Sequence, residues 1–589
     1  MFLSGAGAEP EHDQKTYTNH DVHEDLNPVT SDTVLKDQEG HAINATGQDG
    51  VKKAQAATIV WSRKALLLVY GLIFLIFFIN SFQQQTSNNL TVYVTSSFTQ
   101  VYLIPTVGIV STIVAGVIKL PVAKLMDIFG RPQGYVFMLT CAVLGLILMA
   151  ACTNIETYAA AQVFYWVGFN GIGYVLDVFI ADTSSLQWRA LLFAFTTSPY
   201  IATTFAGPAA AQSFLETSGW RWGYGVYAIL VPVISAPFLW VFWYNQRLAR
   251  KQGILVAARE ASGRKWAESL AHYFVEFDVV GILLICAGFS LFLLPFSLAT
   301  SSAQQWRSGH IIAMLVIGFV LLIAFGVWEK FFAKKAFLPF HYLSDRTVLG
   351  SCLLPMTTWI SFYCWDGYFN PYLQTVHNLS ITNAGYVANI YNLGSCFWAL
   401  VVGVLIRYSG RFKWIALAAV PFEILGTGLM IHFREAHFGI GYVVMTQIFI
   451  AFAGGTLVIA QEIAIMAAVG PANIAVALAL QGLFASVGGA IGSSISGAIW
   501  TNTFYKYLVA NLPQETVGNA TMIYSSITTQ LLYPPGDPTR IVIDEGYVYA
   551  QKYMCIAGTG ILSLCFIWVL MWKDYQVKDF KAPPGAKVI

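Results

Sequence analysis

An all-α membrane protein, with fourteen spans folded as two duplicated bundles and both chain ends in the cytoplasm, is what this sequence predicts. Three observations carry that expectation. Hydrophobic residues make up 56% of the 589 and charged residues only 11%, with mean hydropathy +0.59. A soluble domain carries about 25% charged residues, so most of this surface is built to face lipid. Apolar runs of about twenty residues, the length a helix needs to cross the hydrocarbon core, recur along the chain. Finally, the polar loop Pro121-Val-Ala-Lys-Leu-Met-Asp-Ile-Phe-Gly-Arg-Pro-Gln-Gly134 returns in the second half. Leu125-Met-Asp-Ile-Phe-Gly-Arg131 reads against Leu405-Ile-Arg-Tyr-Ser-Gly-Arg411, with Gly-Arg in the same place and Asp127 matched to Arg407. A repeated loop of one orientation implies the parallel-repeat plan of many secondary transporters.

Taken in order, residues 1–60 are polar, without apolar periodicity, and read as a disordered cytoplasmic tail; they lack the apolar stretch of a cleavable signal. Spans are expected at 65–86, 101–123, 134–153, 157–181, 191–214 and 223–244, closing a first bundle over 61–244. The segment 245–278 is basic and then amphipathic from Trp266 to Phe277, as in a helix lying on the cytoplasmic leaflet. Spans at 279–299 and 310–328 form a separate pair, the insertion 279–328. The second bundle, 329–501 with 552–572, holds spans at 347–369, 384–406, 413–432, 441–464, 478–501 and 552–572. Between its last two spans, 502–551 is expected as a long outer loop containing Tyr533-Pro-Pro-Gly-Asp-Pro538, and 573–589 as a cytoplasmic tail.

Charge sets the orientation. With the amino terminus inside, Arg221, Arg307, Arg434, Lys506, Arg540 and Lys552 fall at the outer side, and the other 27 of the 33 Lys and Arg at the inner side or in the tails, as the positive-inside rule requires. Sequons at Asn89, Asn378 and Asn519 then lie outside as glycosylation candidates, while a fourth, at Asn44, lies in the tail. The eight cysteines sit in apolar spans without C-x-x-C spacing and read as small membrane-core residues, not as a disulfide framework or metal site. A net charge of +2 without a basic patch interleaved with aromatics offers no footing for nucleic acid. Neither H-E-x-x-H, G-x-S-x-G nor a P-loop motif is present, so an enzyme is not expected.

The 6+2+6 plan and the Asp127/Gly130/Arg131 loop resemble the major facilitator superfamily in its fourteen-helix form, and Asp182-x6-Arg189 resembles that superfamily's acid–arginine pair. Within it, Phe179-Ile-Ala-Asp-Thr-Ser-Ser-Leu186, Ala206-Gly-Pro208, the run Gly488-Gly-Ala-Ile-Gly-Ser-Ser-Ile-Ser-Gly-Ala-Ile-Trp-Thr-Asn-Thr503 and the long last outer loop are similar to fungal siderophore-iron transporters. The likeness spans about residues 60–575. Two departures stand out. Ala123 occupies the place where the family loop has Gly, and Gly207-Pro208 runs into Ala209-Ala-Ala-Gln212 where drug exporters continue with a Gly pair. The resemblance implies a major facilitator fold and proton-coupled import of ferric siderophores by a monomer in a plasma or endosomal membrane, without a cofactor, since the siderophore already saturates the iron. A proton-driven exporter of drugs or glutathione on the same fold is the alternative, and a receptor on a transporter scaffold is a third class.

Candidate site residues follow from helical periodicity. Asn80, Gln83, Gln84 and Ser87 form one stripe; Asn170, Tyr174 and Asp177 another; Trp359, Phe362, Tyr363 and Asp366 a third; Gln447, Gly454 and Gln461 recur at heptad spacing with Glu462 adjacent. The resemblance places these four spans around the superfamily's central cavity; interhelical hydrogen bonding is the other reading of each stripe. Intramembrane acids are functional candidates because ionised carboxylates are costly there, which makes Asp177, Glu423 and Glu462 the proton-coupling candidates, with Glu423 open to a structural pairing instead. The aromatics of 359–369 suit either a bulky, partly apolar ligand or an interfacial belt. Asp127, Arg131, Asp182, Arg189, Arg407 and Arg411 face the cytoplasm and are expected to hold an inner gate shut. Gly488-x3-Gly492-x3-Ser496 is a small-residue stripe for close helix packing.

Overall fold

The computed structural model describes residues 63–98, 104–184, 186–251, 266–299, 305–333, 340–469 and 474–577. The tail expected over 1–60, with its Asn44 sequon, residues 252–265 of the linker and 578–589 of the last tail lie outside them. The end of the molecule that holds the Gly130-Arg131 turn is called inner below, and the opposite end outer.

The first bundle begins with α1 (Arg63–Ser97), whose 35 residues measure about 52 Å at 1.5 Å each, well beyond the span expected from its apolar residues alone. α2 (Ile104–Val117) runs almost directly into α3 (Lys119–Phe129). Gly130, at φ 113° and ψ 163°, then turns the chain into α4 (Arg131–Ala151), which starts with Pro132 in its first turn; a side chain is disfavoured at such a φ. α5 (Ile155–Thr183) opens on a capping box made by Asn154 and Thr157. α6 (Leu186–Thr197) and α7 (Pro199–Thr217) are divided by Pro199, which has no N–H to continue the helix. α8 (Trp222–Lys251) closes the bundle.

The linker forms α9 (Trp266–Glu276) at the inner end, where the Lys124 ammonium donates to the Glu276 carbonyl at 3.3 Å. The insertion consists of α10 (Val279–Leu293), the single turn α11 (Pro295–Leu298), and α12 (Gly309–Val327) with a π turn over Trp328–Phe332. α10 packs on α12 and reaches α2, while α12 turns Ile312, Val316, Phe319 and Ile323 outward, the apolar surface a lipid-facing helix presents.

The second bundle comprises the short α13 (Phe340–Leu343), then α14 (Arg346–Asp366) and α15 (Phe369–Thr375). Next come α16 (Ile381–Ala388), α17 (Ile390–Ser409), α18 (Lys413–Phe433), α19 (Ile440–Val469) and α20 (Ile474–Asn511). The short α21 (Ala520–Ser525) and α22 (Ile527–Leu531) precede α23 (Pro538–Leu562) and α24 (Leu564–Met571). Asp345 caps α14 and pairs with Lys573 at 2.6 Å. Partial burial alone raises its carboxyl, but Lys573 and the Thr347 N–H outweigh that and hold it below the usual carboxylate range. Within this bundle α14 packs along α20 and α23, and α19 along α17 and α18. The two bundles meet where α2 lies on α20 and where α6 and α7 lie on α17 and α16.

Two expectations differ from what the structure shows. Among the described residues twelve helical stretches are long and apolar enough to cross a membrane, not fourteen. The expected span 191–214 divides at Pro199, and that at 279–299 is a helix of fifteen residues that stops before Pro295. The outer loop expected over 502–551 is also shorter. α20 runs on to Asn511, and Asp537 accepts from the Thr539 N–H at 2.7 Å to start α23 at Pro538, so the irregular connection is 512–537 and includes two short helices. Polar residues made both helix ends look like loop.

The small-residue stripe on α20 does pack closely. A Cβ at Gly488 would lie 2.8 Å from the Met356 Cα, and one at Gly492 2.5 Å from the Ile360 carbonyl oxygen. Because these neighbours are backbone, α14 cannot yield locally. Gly488→Val is therefore expected to cost roughly 1–3 kcal/mol, read as a lower Tm and a smaller monodisperse fraction in detergent. An unchanged Tm would show that α14 and α20 separate freely.

Candidate functional site

Two cavities lie on the seam between the bundles. The inner one, about 270 Å³, takes Asn80 from α1, Lys119 from α3, Asn170, Tyr174 and Asp177 from α5, Trp359 from α14, and Gln461 and Glu462 from α19. The outer one, about 300 Å³, takes Gln84 and Asn89 from α1, Trp359, Phe362, Tyr363 and Asp366 from α14, and Asn370 from α15. The Trp359 ring belongs to both walls.

The α5 stripe behaves as its spacing requires. The Asn170 amide donates to the Trp166 carbonyl at 2.9 Å, and the Tyr174 hydroxyl reaches across the seam to the Ala475 carbonyl of α20 at 2.7 Å. The buried Oε1 of Gln461 has no hydrogen-bond partner, an expensive state for a polar atom. Around the outer cavity a relay of amides crosses from α1 to α15. The Tyr93 hydroxyl donates to Gln374 at 2.7 Å, the Gln374 amide to Asn370 at 2.6 Å and the Asn370 amide to Asn89 at 3.2 Å. The Tyr200 hydroxyl donates to Gln84. Trp359 sits 5.5 Å from Phe362 and 5.6 Å from Tyr363, and Phe362 5.1 Å from Tyr391, forming a continuous aromatic wall.

Three expected site residues line neither cavity. Gln83 is turned into the first bundle, donating to Ser87 at 2.7 Å and accepting from the Tyr165 hydroxyl at 2.8 Å. Gln447 is fully buried against Met430 of α18, 3.1 Å from its sulfur; two heptads place it about 21 Å along α19 from Gln461, at 1.5 Å per residue. Glu423 is buried on α18, and its Oε2 has no partner.

The expected inner gate separates into ties within each bundle and contacts between them. Arg131 pairs with Asp182 at 3.0 Å and donates to the Met126 carbonyl at 3.2 Å, pinning α4 to α5. Arg189 donates to the Ala181 and Ser184 carbonyls at 2.7 and 2.9 Å, satisfying the open end of α5. Its other guanidinium nitrogen lies 3.7 Å from the Met466 sulfur in the second bundle. The Arg407 guanidinium of α17 stacks 3.5 Å over the Trp188 ring of α6, bridging the bundles. Arg411 pairs with Asp574 at 3.5 Å inside the second bundle. The Asp127 side chain lies outside the described residues.

One glycosylation expectation fails. Asn89 is 3% exposed inside α1, its amide donates to the Gln85 carbonyl at 2.7 Å, and it lines the outer cavity, so a glycan has no room there. Asn378 and Asn519 are exposed at the outer end. Reading by periodicity also missed Lys119 and Asn370. Lys119 had a signal, a lysine within the apolar run 101–123, but it was absorbed into the count of inner positive charges.

A family model for the Major Facilitator Superfamily matches residues 73–366. The MFS siderochrome iron transporter 1 of Ajellomyces capsulatus is 50% identical over 547 residues, 93% of either chain. The siderophore iron transporter mirB of Emericella nidulans is 44% identical over 560 residues, 95% of this chain and 91% of that one. Siderophore iron transporter 1 of Schizosaccharomyces pombe is 38% identical over 511 residues, 87% and 82%. Among solved structures, a bacterial homolog of the human lysosomal transporter Spinster superposes with a TM-score of 0.52 at 13% identity, covering 89% of this chain and all of that one. The peptide transporter POT gives 0.51 at 13% identity, covering 86% and 95%. At such identities the likeness speaks for the fold.

The stacked Arg407–Trp188 pair is a contact of the kind worth about 0.5–2 kcal/mol. Arg407→Ala is expected to loosen the inner end and speed thiol labelling of a cysteine placed at Asn170, applied from the inner side, by roughly 2- to 30-fold. An unchanged labelling rate would mean that the pair does not hold that end closed.

Proposed function

The chain belongs to the Major Facilitator Superfamily, in its siderophore-iron transporter family, and on that premise we propose that it imports ferric siderophore complexes together with protons by alternating access. The observation that carries this reading is the seam cavity itself, where Asp177 of the first bundle and Glu462 of the second face one space. Carboxyls are expensive inside a membrane and are kept where they do work. Asp177 and Glu462 are assigned the proton, and Glu423 stands behind them as a reserve acid that does not reach the cavity. Asn80, Gln84, Asn170, Tyr174, Trp359, Phe362, Tyr363, Asp366 and Gln461 are assigned to the substrate, because amides and aromatic faces suit a bulky complex whose iron is already fully coordinated.

Alternating access is supported by contacts that join the bundles at both ends of the seam: Tyr93–Gln374 and Asn370–Asn89 at the outer end, Arg407–Trp188 at the inner. One set has to part while the other holds. Six spans, the inserted pair and six more, with α6 and α7 together and α10 with α11 together each making one crossing and both termini in the cytoplasm, form the arrangement that best accommodates the basic inner end. Asn378 and Asn519 then lie outside as glycan acceptors, and the membrane is plasma or endosomal.

Expression in a yeast lacking its own siderophore uptake is expected to produce accumulation of radio-iron from a loaded siderophore, which a protonophore abolishes. Asp177→Asn, at matched surface amounts, is expected to reduce concentrative uptake to the empty-vector level while sparing counterflow exchange. Unchanged iron uptake accompanied by new resistance to drugs would instead favour export, and wild-type pH dependence in Asp177→Asn would move the proton to another acid.

A further inference from the structure

Among the described residues Lys119 is the one basic side chain on either cavity wall, and it lies where lysine is costly unless countered. It extends across the seam onto α20, where a Cβ at Gly482 would stand 2.8 Å from its Cδ and 2.9 Å from its Nζ; the absence of a side chain at Gly482 makes that path open. The charges of Asp177 and Glu462 both act on it, and all three line the same inner cavity. Beside them Gln461, whose buried Oε1 has no hydrogen-bond partner among the described residues, belongs to the same wall. Lys119 and Asp177 belong to the first bundle, Glu462 to the second.

We propose that Lys119 sets the number of protons carried per substrate: with Asp177 and Glu462 it makes a three-group cluster that is neutral when one of the two carboxyls, and only one, holds a proton. This rests on the proton-symport reading above. With both carboxylates ionised the cluster carries one net negative charge, which a closed, poorly hydrated cavity disfavours. A proton taken onto one carboxylate from the outer water neutralises it and permits closure. Parting of the bundles at the inner end withdraws Glu462 from Lys119 into water, and the proton leaves to the cytoplasm. The remaining titratable groups on this cavity wall are Tyr174 and Tyr200. Phenols ionise near 10, and both hydroxyls are already engaged, with Ala475 and Gln84. Nearer the inner end Arg131 and Asp182 neutralise one another. Lys119 is thus a positioning residue for the proton, acting through the carboxyls.

The test uses the full chain in yeast and in proteoliposomes, with a radio-iron trihydroxamate complex as probe. Wild type and Lys119→Arg are expected to show a slope of one when log initial uptake is plotted against pH on the alkaline limb, and one proton taken up per iron. Lys119→Met leaves two carboxyls uncountered, so the slope and the proton count are expected to rise to two. Lys119→Met combined with Glu462→Gln leaves a single carboxyl and is expected to return both to one, a rescue that a merely structural lysine would not produce. Counterflow exchange at matched surface amounts confirms that each variant is folded, and Lys119→Gln replaces Lys119→Met if the latter is retained inside the cell. A slope of one in the folded Lys119→Met or Lys119→Gln variant overturns the proposal. If wild type itself moves no proton, the symport reading has failed, which is a different result from an unchanged slope.

Discussion

A polar or charged group inside a lipid-embedded bundle has neither water nor lipid to solvate it, and the rest of this structure depends on how each such group is answered. α1 pairs several of its amides and hydroxyls with α5 and α8, as Gln83 does with Tyr165 at 2.8 Å and Thr86 with Tyr227 at 3.0 Å, although the side chain of Gln85 finds no partner among the described residues. Arg434 is buried among Trp365 and Phe369, 4.8 and 4.2 Å from their ring centres, and donates to Gln551 at 2.5 Å. Arg540 is answered by Asp544 at 3.0 Å and by the Tyr533 carbonyl at 2.9 Å. These arginines tie the outer end of the second bundle into a rigid block. Along the seam the answers are incomplete: Gln461 keeps an unpartnered oxygen, and Lys119 shares a cavity with two acids. On the proposed function the ligand and the proton use the seam, where Gln461, Lys119 and the two acids line one cavity.

The same logic bears on the proposed alternating access. A net hydrogen bond in water contributes about 0.5–1.5 kcal/mol, and the outer closure consists of a few of them: Tyr93–Gln374, Asn370–Asn89 and Ser96–Ser526 at 3.0 Å. The inner closure is a stacked guanidinium and the Tyr174–Ala475 bond. Closures of that size trade against one another; the glycine-tight α14–α20 contact holds the second bundle together, and close glycine packing also occurs at the seam, where a Cβ at Gly385 of α16 would lie 2.6 Å from the Pro208 Cβ of α7. On the proposed alternating access the two bundles would move as bodies about this seam.

How much of this was legible in the sequence depended on which physical signal a residue carried. Helix positions were readable because apolar runs of membrane length have few other uses, and the α5 stripe was readable because i, i+4, i+7 spacing put Asn170, Tyr174 and Asp177 on one face that the fold does bring to the cavity. Signals read as solvation failed where burial was compensated. Arg434 and Arg540 read as outer-loop cations but are each 2% exposed; Asn89 read as a glycan site but is a buried helix residue. Long polar helix ends at 502–511 and 538–551 read as loop because hydropathy does not report a capped helix that continues beyond the membrane. Gln447 misled because two heptads carry it about 21 Å along α19 from Gln461, to where Met430 covers it. Lys119 needed the tertiary fold, since nothing in sequence places residue 119 beside 177, 462 and 482.

The central claim is that a polar cluster drawn from both bundles couples the siderophore to a proton. Its most direct measurement is the pH of a weakly buffered suspension of proteoliposomes holding the full chain, followed while a ferric siderophore is added outside. The account predicts alkalinisation of the medium in step with iron entry, and none in Asp177→Asn liposomes. Iron accumulating in wild-type liposomes with no change in external pH would contradict it.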